Sequence, residues 1–532
     1  MQNEHDSGAM SVNQDLQRRL DRIVDTLETE AVPNPIEQVS HLILLKLVDE
    51  QEAKRETREG AGRGRDAGLF PLQAQRFRWK GWRDSRGEDL RGFLADEVFY
   101  YMASLSNEAP GVARHFRGAS LDIADPDVLE RLVDELDKIE FSEIAAEVRG
   151  GLFEYLLARL GLPTGSAEPA GRSPGRGEFR RPVGVFRTPP RIRALMVRMT
   201  DPDEGDSVYD PACGTAGFLI DAVNWIRERQ SGSERVDVTI YGTDVSPNLV
   251  RIAAINLLLH GVPDAKLRSA NALAGPDVFT EAELQRRHDV VLSNPPLLAQ
   301  PPRGPVRRDL PATGRRGEIL FLALAMQSLA PGGRCAVILP DSLLSGATKV
   351  HRELRATLLR RFEVQAVVSL PIGVFGPFAR VRTSVVVFRR PFGEARDDAP
   401  ATRRVWFYEV QNDGFDEEGA GPSGHRETPD QNDTPGLLEA WADYEASRFE
   451  TPPGVEGGSF LEAGSEEPRC WWAPFEMVAE AECDLTGSRY RPFVDEPIPE
   501  EDPASLIREI LELEREITAG FEALLDDLKG SP

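Results

Sequence analysis

Two turns in this sequence place chemistry-bearing residues directly after apolar, strand-like segments. The first is Asp210-Pro-Ala-Cys-Gly-Thr-Ala-Gly217, and the second, which begins 84 residues after Asp210, is Asn294-Pro295-Pro296. A glycine-rich turn after an acidic strand end lets backbone approach a cofactor at the carboxyl edge of a sheet. Prolines fix φ and remove N–H donors, so the second turn presents acceptors. Together the turns favour group transfer from a bound cofactor to an amino nitrogen.

In this order the turns resemble those of the adenine-N6 DNA methyltransferases, and the motif order resembles the modification (M) subunit of type I restriction-modification systems. The lone pair of an exocyclic adenine amine is delocalised into the ring, so an enzyme must hold both N–H bonds and bend the nitrogen toward tetrahedral. The Asn294 side-chain oxygen can accept one N–H and the Pro295 carbonyl the other, while Pro296 stiffens the corner. This arrangement requires no charged general base.

The resemblance implies S-adenosyl-L-methionine as the methyl donor. Before the first strand lies a Gly-x-aromatic-x-Thr-Pro element, in which Phe186 is expected to cover the methionine part and Thr188 to hydrogen-bond it. The other implied cofactor residues are Asp210, Ala212, Gly214, Gly217, Asp244 and Asn271. Asp244 would accept from the ribose hydroxyls and Asn271 from the cofactor adenine, where the family more often has Glu and Asp.

The implied catalytic residues are Asn294, Pro295, Pro296 and Leu297, and the last departs from the family pattern. The family has Phe or Tyr there, stacked on the flipped adenine, whereas Leu has no π face. Base stacking contributes about 1–3 kcal/mol, so its loss lowers activity by roughly one or two powers of ten. Phe375 or Phe378 could supply a replacement ring; the alternative is that both are core aromatics.

Composition bounds the other possibilities. The chain has 532 residues, enough for two or three domains, and it has neither a run of about 18 apolar residues nor a signal-peptide pattern, so a cytoplasmic location without membrane contact is expected. Its four cysteines are far apart, so no metal site and no disulfide framework is predicted. Cys213 is expected to be a packing residue rather than a reactive thiol.

The net charge of −25 is concentrated at one end of the chain. Residues 401–532 contain 10 Lys/Arg and 32 Asp/Glu, a net −22, which leaves −3 for the first 400 residues. Arginines cluster instead around the two turns, from Arg172 to Arg193 and after Asn294. Arg suits phosphate contacts. The predicted DNA-binding residues are Arg303, Arg307, Arg308, Arg315 and Arg316. The alternative for both clusters is a solvated loop with scattered charge.

The expected fold is α/β. Apolar periodicity predicts an all-helical domain over 1–160, with its first helical segment interrupted at Pro33 and Pro35, and strands alternating with helices predict a catalytic domain with an open, mainly parallel sheet over 161–392. The candidate strands are 207–210, 238–243, 289–293, 334–339, 364–370 and 383–389. For the helix after the second strand, Ser246 is the expected cap, Pro247 fits the first turn and Gly261 the end. The last two strands, near 364–370 and 383–389, should form an antiparallel hairpin at the sheet edge, which agrees with the seven-stranded S-adenosylmethionine-dependent methyltransferase sheet. An acidic, partly irregular extension (393–500, irregular to about 435) and a C-terminal helix (501–532) follow. The helix carries an apolar seam for a partner or for this chain's own core.

Motifs for two activities that DNA restriction and modification also require are not found in this sequence. It has no phosphate-binding Gly-x-x-x-x-Gly-Lys loop, so a restriction or translocase subunit would supply motor and nuclease activity. It has no long base-reading insert in the catalytic domain, so a DNA specificity subunit would select the target. The expected substrate is double-stranded DNA with a flipped adenine. Two alternatives stay open: a weak or inactive methyltransferase-like scaffold in a phage-defence complex, and a protein glutamine methyltransferase.

Overall fold

The first 160 residues are helical. The computed structural model describes residues 2–59, 68–160, 188–230, 236–296, 306–311, 316–375, 381–393, 399–416, 426–447, 459–460, 469–492, 507, 511–515 and 517–518. The α-helices of the first part are α1 (Gln2–Thr29), α2 (Pro35–Glu59), α3 (Trp79–Trp82), α4 (Gly87–Phe93), α5 (Phe99–Ser104), α6 (Pro110–Phe116), α7 (Pro126–Asp137) and α8 (Ala146–Leu160). The break between α1 and α2 falls at the two prolines, as predicted.

The following part contains a mixed sheet. Its strands are β1 (Ser207–Asp210), β2 (Thr239–Asp244), β3 (Lys266–Ser269), β4 (His288–Ser293), β5 (Leu329–Pro340), β6 (Glu363–Ser369), β7 (Thr383–Arg389), β8 (Arg404–Glu409), β11 (Ser459–Phe460) and β12 (Cys470–Pro474). Among the described residues these ten strands have the order β11-β12-β8-β6-β7-β5-β4-β1-β2-β3. A separate pair consists of β9 (Asp413–Asp416) and β10 (Arg426–Asn432).

Helices pack on both faces of the sheet. They are α9 (Pro190–Thr200), α10 (Gly217–Arg229), α11 (Pro247–Leu259), α12 (Glu281–Leu284), α13 (Gly317–Ser328), α14 (Asp341–Leu344), α15 (Lys349–Arg361), α16 (Thr434–Ser447) and α17 (Phe475–Glu480). The predicted signals of α11 are confirmed, because the Ser246 hydroxyl accepts from the Leu249 N–H and Pro247 opens the first turn. Gly261 follows its end with φ +83°.

The helical part docks on α11. Ile252, Ile255 and Leu259 of α11 belong to the same apolar core as α1, α2 and α7. At this junction the Arg251 guanidinium pairs with Glu37 at 2.6 Å. The helical part therefore holds the helix that follows β2 in a fixed position.

Several sequence predictions are corrected by the sheet. The β6–β7 pair is antiparallel as expected, but it does not lie at the edge, because β8 pairs with β6 on its far side. The expectation that residues 393–435 are irregular is wrong for β8, β9 and β10. Strand β3 was not predicted; its four residues, Lys-Leu-Arg-Ser, alternate too briefly to stand out. The α/β class is confirmed, and three strands extend the expected seven.

Only part of the predicted C-terminal helix lies among the described residues. Of the predicted C-terminal seam, Leu513 and Ile517 lie in described helical positions and are 54% and 58% exposed; its other members lie outside the described residues. Within the described part of the chain, no helix combines the length and apolarity needed to cross a membrane.

Candidate active site

The carboxyl ends of β1 and β4 are joined by a buried hydrogen bond. Asp210, the last residue of β1, is 1% exposed, and its Oδ1 accepts from the Ser293 hydroxyl at 2.9 Å and from the Ala212 N–H at 2.9 Å. Ser293 is the last residue of β4 and directly precedes Asn294. The two turns that the sequence singled out are therefore in contact through one serine, a residue that sequence reasoning missed.

The glycine-rich turn is tied to the end of β2. Gly214 and Ala216 both have positive φ, +51° and +71°, so the backbone of the turn folds back on itself. Asp244 Oδ2 accepts from the Gly214 N–H at 3.0 Å, and its Oδ1 accepts from the Ser246 N–H at 2.8 Å. Burial raises the pKa of Asp244 despite these bonds. The predicted ribose-binding carboxylate and the predicted cofactor turn thus form one unit.

The Asn294 amide is oriented by Thr188. Asn294 Nδ2 donates to the Thr188 hydroxyl oxygen at 3.0 Å, which directs the amide oxygen away from Thr188. No described residue donates to Asn294 Oδ1 or to the Pro295 carbonyl. These are the two acceptors that the sequence predicted for an amine. Thr188, expected to bind the cofactor, here positions the predicted catalytic amide.

Arg193 fixes the position of Thr188, a role that the sequence did not predict. It is 7% exposed, its Nε pairs with Asp221 at 2.7 Å, and its Nη1 donates to the Thr188 carbonyl at 3.1 Å. A Cβ added at Gly217 would meet the Arg193 Nε at 3.0 Å, so glycine there permits the close approach. A buried arginine in an amphipathic helix gives no sequence signal that separates this role from a surface charge. Arg193 is therefore removed from the arginine cluster expected to meet DNA.

The helical part of the chain also reaches the cofactor turn. Asn256 of α11 is fully buried; its Nδ2 donates to the Thr215 carbonyl at 3.0 Å and to Glu154 of α8 at 2.8 Å. Where α8 passes α11, a Cβ at Gly150 would lie 2.0 Å from the His260 ring, so only glycine fits. Gly150 and Glu154 thus fix the close contact between α8 and α11.

Other predicted residues have mixed outcomes. Asn271 Oδ1 accepts from the Leu273 N–H at 3.0 Å, so this side chain forms a local turn after β3 and retains one further acceptor position. Phe375 is 5% exposed in the apolar core, so the core alternative is confirmed for it and it cannot replace the missing stacking ring. Cys213 is buried in the same core, and burial raises the pKa of its thiol, as expected of a packing residue. Phe186, Leu297, Phe378, Arg303 and Arg315 lie outside the described residues.

The remaining predicted DNA contacts differ in environment. Arg307 is turned inward: its side chain is 9% exposed and pairs with Asp309 at 2.6 Å. Arg308 is exposed, and the Arg316 side chain is 64% exposed. Of these three, Arg308 and Arg316 are available to a phosphate backbone.

Comparison with known proteins agrees with this geometry. Residues 178–490, more than half of the chain, match the N-6 DNA Methylase family. The chain belongs to this family. It is therefore a DNA methyltransferase of the adenine-specific class, as the sequence predicted. Residues 16–136 match the HsdM N-terminal domain family, which covers most of the helical part of this methylase.

Its relatives include methylase subunits of type I restriction enzymes. The EcoEI methylase subunit of Escherichia coli is 28% identical over 393 residues, which cover 70% of this chain and 72% of that protein. The EcoKI methylase subunit of Escherichia coli K12 is 24% identical over 75% of this chain and 72% of that protein. The modification-subunit resemblance is thereby confirmed.

Solved structures share the fold along nearly the whole methylase. A chain from a study of complex assembly and conformational transition of the type I R-M system has a TM-score of 0.65 and 25% identity, covering 98% of this chain and 99% of that chain. A modification subunit of a putative type I restriction enzyme from Vibrio vulnificus has a TM-score of 0.62 and 21% identity, covering 87% and 93%. The helical part and the sheet therefore occur together in these proteins.

The Thr188 hydroxyl makes a first prediction. Thr188→Val keeps the shape but leaves the Asn294 amide without its partner, and a neutral hydrogen bond contributes about 1 kcal/mol, so we expect the single-turnover methylation rate to fall roughly fivefold to tenfold. Thr188→Ser should retain the rate. The rate is measured at saturating cofactor and DNA, beside the cofactor Kd. A Thr188→Val variant that weakens only cofactor binding would show that Thr188 does not position the amide.

The titration of Asp210 makes a second prediction. Burial, together with the nearby Asp244 carboxylate, raises the pKa of Asp210 to about 7. A cationic ligand prefers the ionised carboxylate, so affinity for S-adenosyl-L-methionine should fall below about pH 7, by up to roughly tenfold per unit, and be constant above it. Binding should then release protons at about pH 6, which calorimetry in two buffers measures.

The folding stability of the ligand-free protein should depend on pH in the opposite direction from the cofactor affinity. Because the folded state holds a proton that the unfolded state has lost, this carboxyl stabilises the fold at low pH, and that contribution disappears as pH rises through about 7. Asp210→Asn serves as the control, with weaker but pH-independent binding. Identical pH profiles for the variant and the unmodified protein would exclude Asp210 as the titrating group.

Proposed function

We propose that this methylase transfers the methyl group of S-adenosyl-L-methionine to N6 of an adenine flipped out of double-stranded DNA, as the modification subunit of a type I-like restriction or phage-defence complex in the cytoplasm. The observation that carries the proposal is the Thr188–Asn294 hydrogen bond. It orients an amide acceptor beside the Asp210–Ser293 link at the sheet edge.

The described residues suit the proposed donor. Two carboxylates with raised pKa values, the buried Asp210 and the partly buried Asp244, lie beside a glycine-rich turn with positive φ. Asp210 Oδ2 has no donor among the described residues, and it can accept from an ammonium group; Asp244 can accept from ribose hydroxyls with its remaining lone pairs. When bound, the cofactor supplies an electrophilic methyl group.

The chain's own contribution to the chemistry is the acceptor corner. Asn294 Oδ1 and the Pro295 carbonyl would accept the two N–H bonds of the adenine amine, which localises its lone pair and directs it toward the methyl group. Both acceptors are fixed before substrate arrives, Asn294 by Thr188 and Pro295 by its ring. Arg193 keeps Thr188 in place and acts as a positioning residue.

The proposed partners follow from the relatives and from exposure. The relatives are named as subunits of type I restriction enzymes, and we extend to this chain a DNA specificity subunit and a restriction or translocase subunit. Leu513 and Ile517 are exposed apolar positions on the C-terminal helix, which suits a helix of the specificity subunit better than this chain's core. Arg308 and Arg316 are the proposed phosphate contacts.

A methylation assay with and without the candidate specificity subunit tests the assignment. With both subunits, labelled methyl groups from S-adenosyl-L-methionine should enter DNA that carries the target sequence, and this should require the specificity subunit. The catalytic control is Asn294→Ala in the same complex. A complex that binds cognate DNA tightly and leaves it unmethylated would contradict the proposal.

A weakly catalytic scaffold is the second candidate, favoured by Leu297 and by the engagement of Asn271 in a local turn. Leu297→Phe separates the two. If the chain is an enzyme that lacks a stacking ring, the ring should raise methylation about tenfold to a hundredfold, since stacking contributes about 1–3 kcal/mol. Leu297→Ile is the matched control without a π face and should bring no gain. Methylation that stays absent in Leu297→Phe would favour the scaffold.

A further inference from the structure

A cleft separate from the candidate active site lies on the face of the sheet opposite to the Asp210 and Asp244 carboxylates. It has a volume of about 320 Å³, and Tyr209, Tyr241 and Thr243 line its floor. Successive strand residues point to opposite faces, so Tyr209 and Thr243 face away from the side to which Asp210 and Asp244 point. The volume falls at the lower end of the range for small-molecule sites, roughly 300–1,000 Å³.

This face of the sheet is open because the connection between β3 and β4 contains only a short helix. Residues 270–287 are all described, and α12 is a single turn of four residues. Ala274, Phe279 and Leu284 of this connection form a small apolar cluster of their own, and Phe279 lines the edge of the cleft. On the other half of the sheet, α13 and α15 provide that cover.

The cleft carries an excess of positive charge. Its cations are Arg114, Lys266, Arg268, Arg286 and Arg307, and Glu283 is its one carboxylate among the described lining residues. Arg268 pairs with Glu283, and Arg307 pairs with Asp309. Arg114, Lys266 and Arg286 have no ion pair with any described residue, and burial lowers the pKa of Arg114. An anionic ligand would compensate these three charges.

Aromatic rings form the wall beside these cations. His288 stacks on Tyr209 at 4.6 Å and meets Tyr241 edge-on at 4.7 Å, while Arg286 and Lys266 lie over the Tyr241 ring at 4.9 and 5.0 Å. His288 is 4% exposed, and its Nδ1 has no hydrogen-bond partner among the described residues. Burial lowers the pKa of His288 to about 3, so the ring is neutral. A buried polar atom without a partner costs stability unless a ligand satisfies it.

We infer that this cleft binds a nucleoside 5′-phosphate, with its base against the partly exposed Tyr209 and Tyr241 side chains and its phosphate on Arg114, Lys266 and Arg286. A concave aromatic wall with convergent cations suits a flat base joined to a phosphate better than it suits a DNA backbone, which requires an open groove. Arg114 belongs to α6, and its Nη1 donates to the Ala265 carbonyl at 3.2 Å. An occupant would therefore contact both the helical part and the sheet.

Calorimetry with GMP and UMP tests this inference, because neither contains the adenine of the proposed cofactor. At least one of the two should bind about tenfold more tightly than its nucleoside and than inorganic phosphate, since ring and charge contacts both contribute. Lys266→Ala/Arg286→Ala should weaken that binding by at least about tenfold. The control Lys349→Ala/Arg361→Ala changes the charge equally on exposed positions of α15 and should leave binding unchanged. S-adenosylhomocysteine should not displace the nucleotide.

Four results would overturn the inference. They are no binding of either nucleotide at millimolar concentration, equal binding of phosphate alone, equal effects of the two double variants, and displacement by S-adenosylhomocysteine. If Lys266→Ala/Arg286→Ala instead abolishes binding of a short DNA duplex while nucleotides do not bind, the cleft is a DNA contact. The methylation rate of Lys266→Ala/Arg286→Ala should be unchanged, so that failure of this inference can be distinguished from failure of the proposed function.

Discussion

Asn294→Ala should reduce the methylation rate by about 10²–10³-fold while S-adenosyl-L-methionine binds as before. In the proposed mechanism the side chain provides one of two acceptors for the amine as it becomes tetrahedral, and removal of one preorganised hydrogen-bonding group of this kind costs about that factor. Asn294 makes its hydrogen bond through Nδ2 to Thr188 and none to the glycine-rich turn, so the cofactor turn should stay intact. Single-turnover kinetics and calorimetry measure the two quantities.

Asn294→Asp is the matched control for this prediction. It retains an acceptor oxygen and can accept from the Thr188 hydroxyl, so it should recover part of the lost rate. A thermal unfolding curve shows whether either variant is destabilised. Loss of cofactor affinity in parallel with the rate would indicate that Asn294 supports the fold of the site rather than the amine.

Asp244→Ala should weaken S-adenosyl-L-methionine binding by about 10²-fold or more. Hydrogen bonds to a charged group contribute about 1.5–3 kcal/mol each, and this carboxylate is proposed to accept from two ribose hydroxyls. It also accepts from the Gly214 N–H at 3.0 Å, so its loss should loosen the turn that is proposed to hold the cofactor. Calorimetric titration of the purified methylase with S-adenosyl-L-methionine measures the effect.

The conservative variants separate these two causes. Asp244→Glu retains two charged acceptors and should keep the affinity within about tenfold, whereas Asp244→Asn retains one acceptor and should be intermediate. Ser246→Ala, which removes the helix cap next to Asp244, controls for general destabilisation at the end of β2 and costs about 1 kcal/mol of stability. Unchanged affinity in Asp244→Ala would exclude this carboxylate from the cofactor site.

The parts of the fold that sequence predicted are those with local causes. Ser246, Pro247 and Gly261 bound α11 through capping and positive φ, and β1 was predicted with its observed limits because it ends in the Asp-Pro turn. The acceptor turn was predicted because proline geometry is local. Such signals need no knowledge of what packs against them.

The parts that sequence could not predict depend on distant partners. Strand β8 lies in an acidic region but becomes a strand because its residues Val405 to Tyr408 are buried between β6 and β12. Arg193 and Ser293 act through Asp221, Thr188 and Asp210, and no spacing in the chain marks those pairs. Arg307 was expected at DNA, yet Asp309 two residues later pairs with it inside the protein.

The most direct test of the account is mass spectrometry of nucleosides and peptides after incubation of the methylase, the proposed specificity subunit and cognate DNA with S-adenosyl-L-methionine deuterated in the methyl group. The account predicts that the label appears on N6 of adenine in DNA and disappears with Asn294→Ala. Label on a glutamine side chain, on another base, or nowhere while DNA and cofactor remain bound would contradict it.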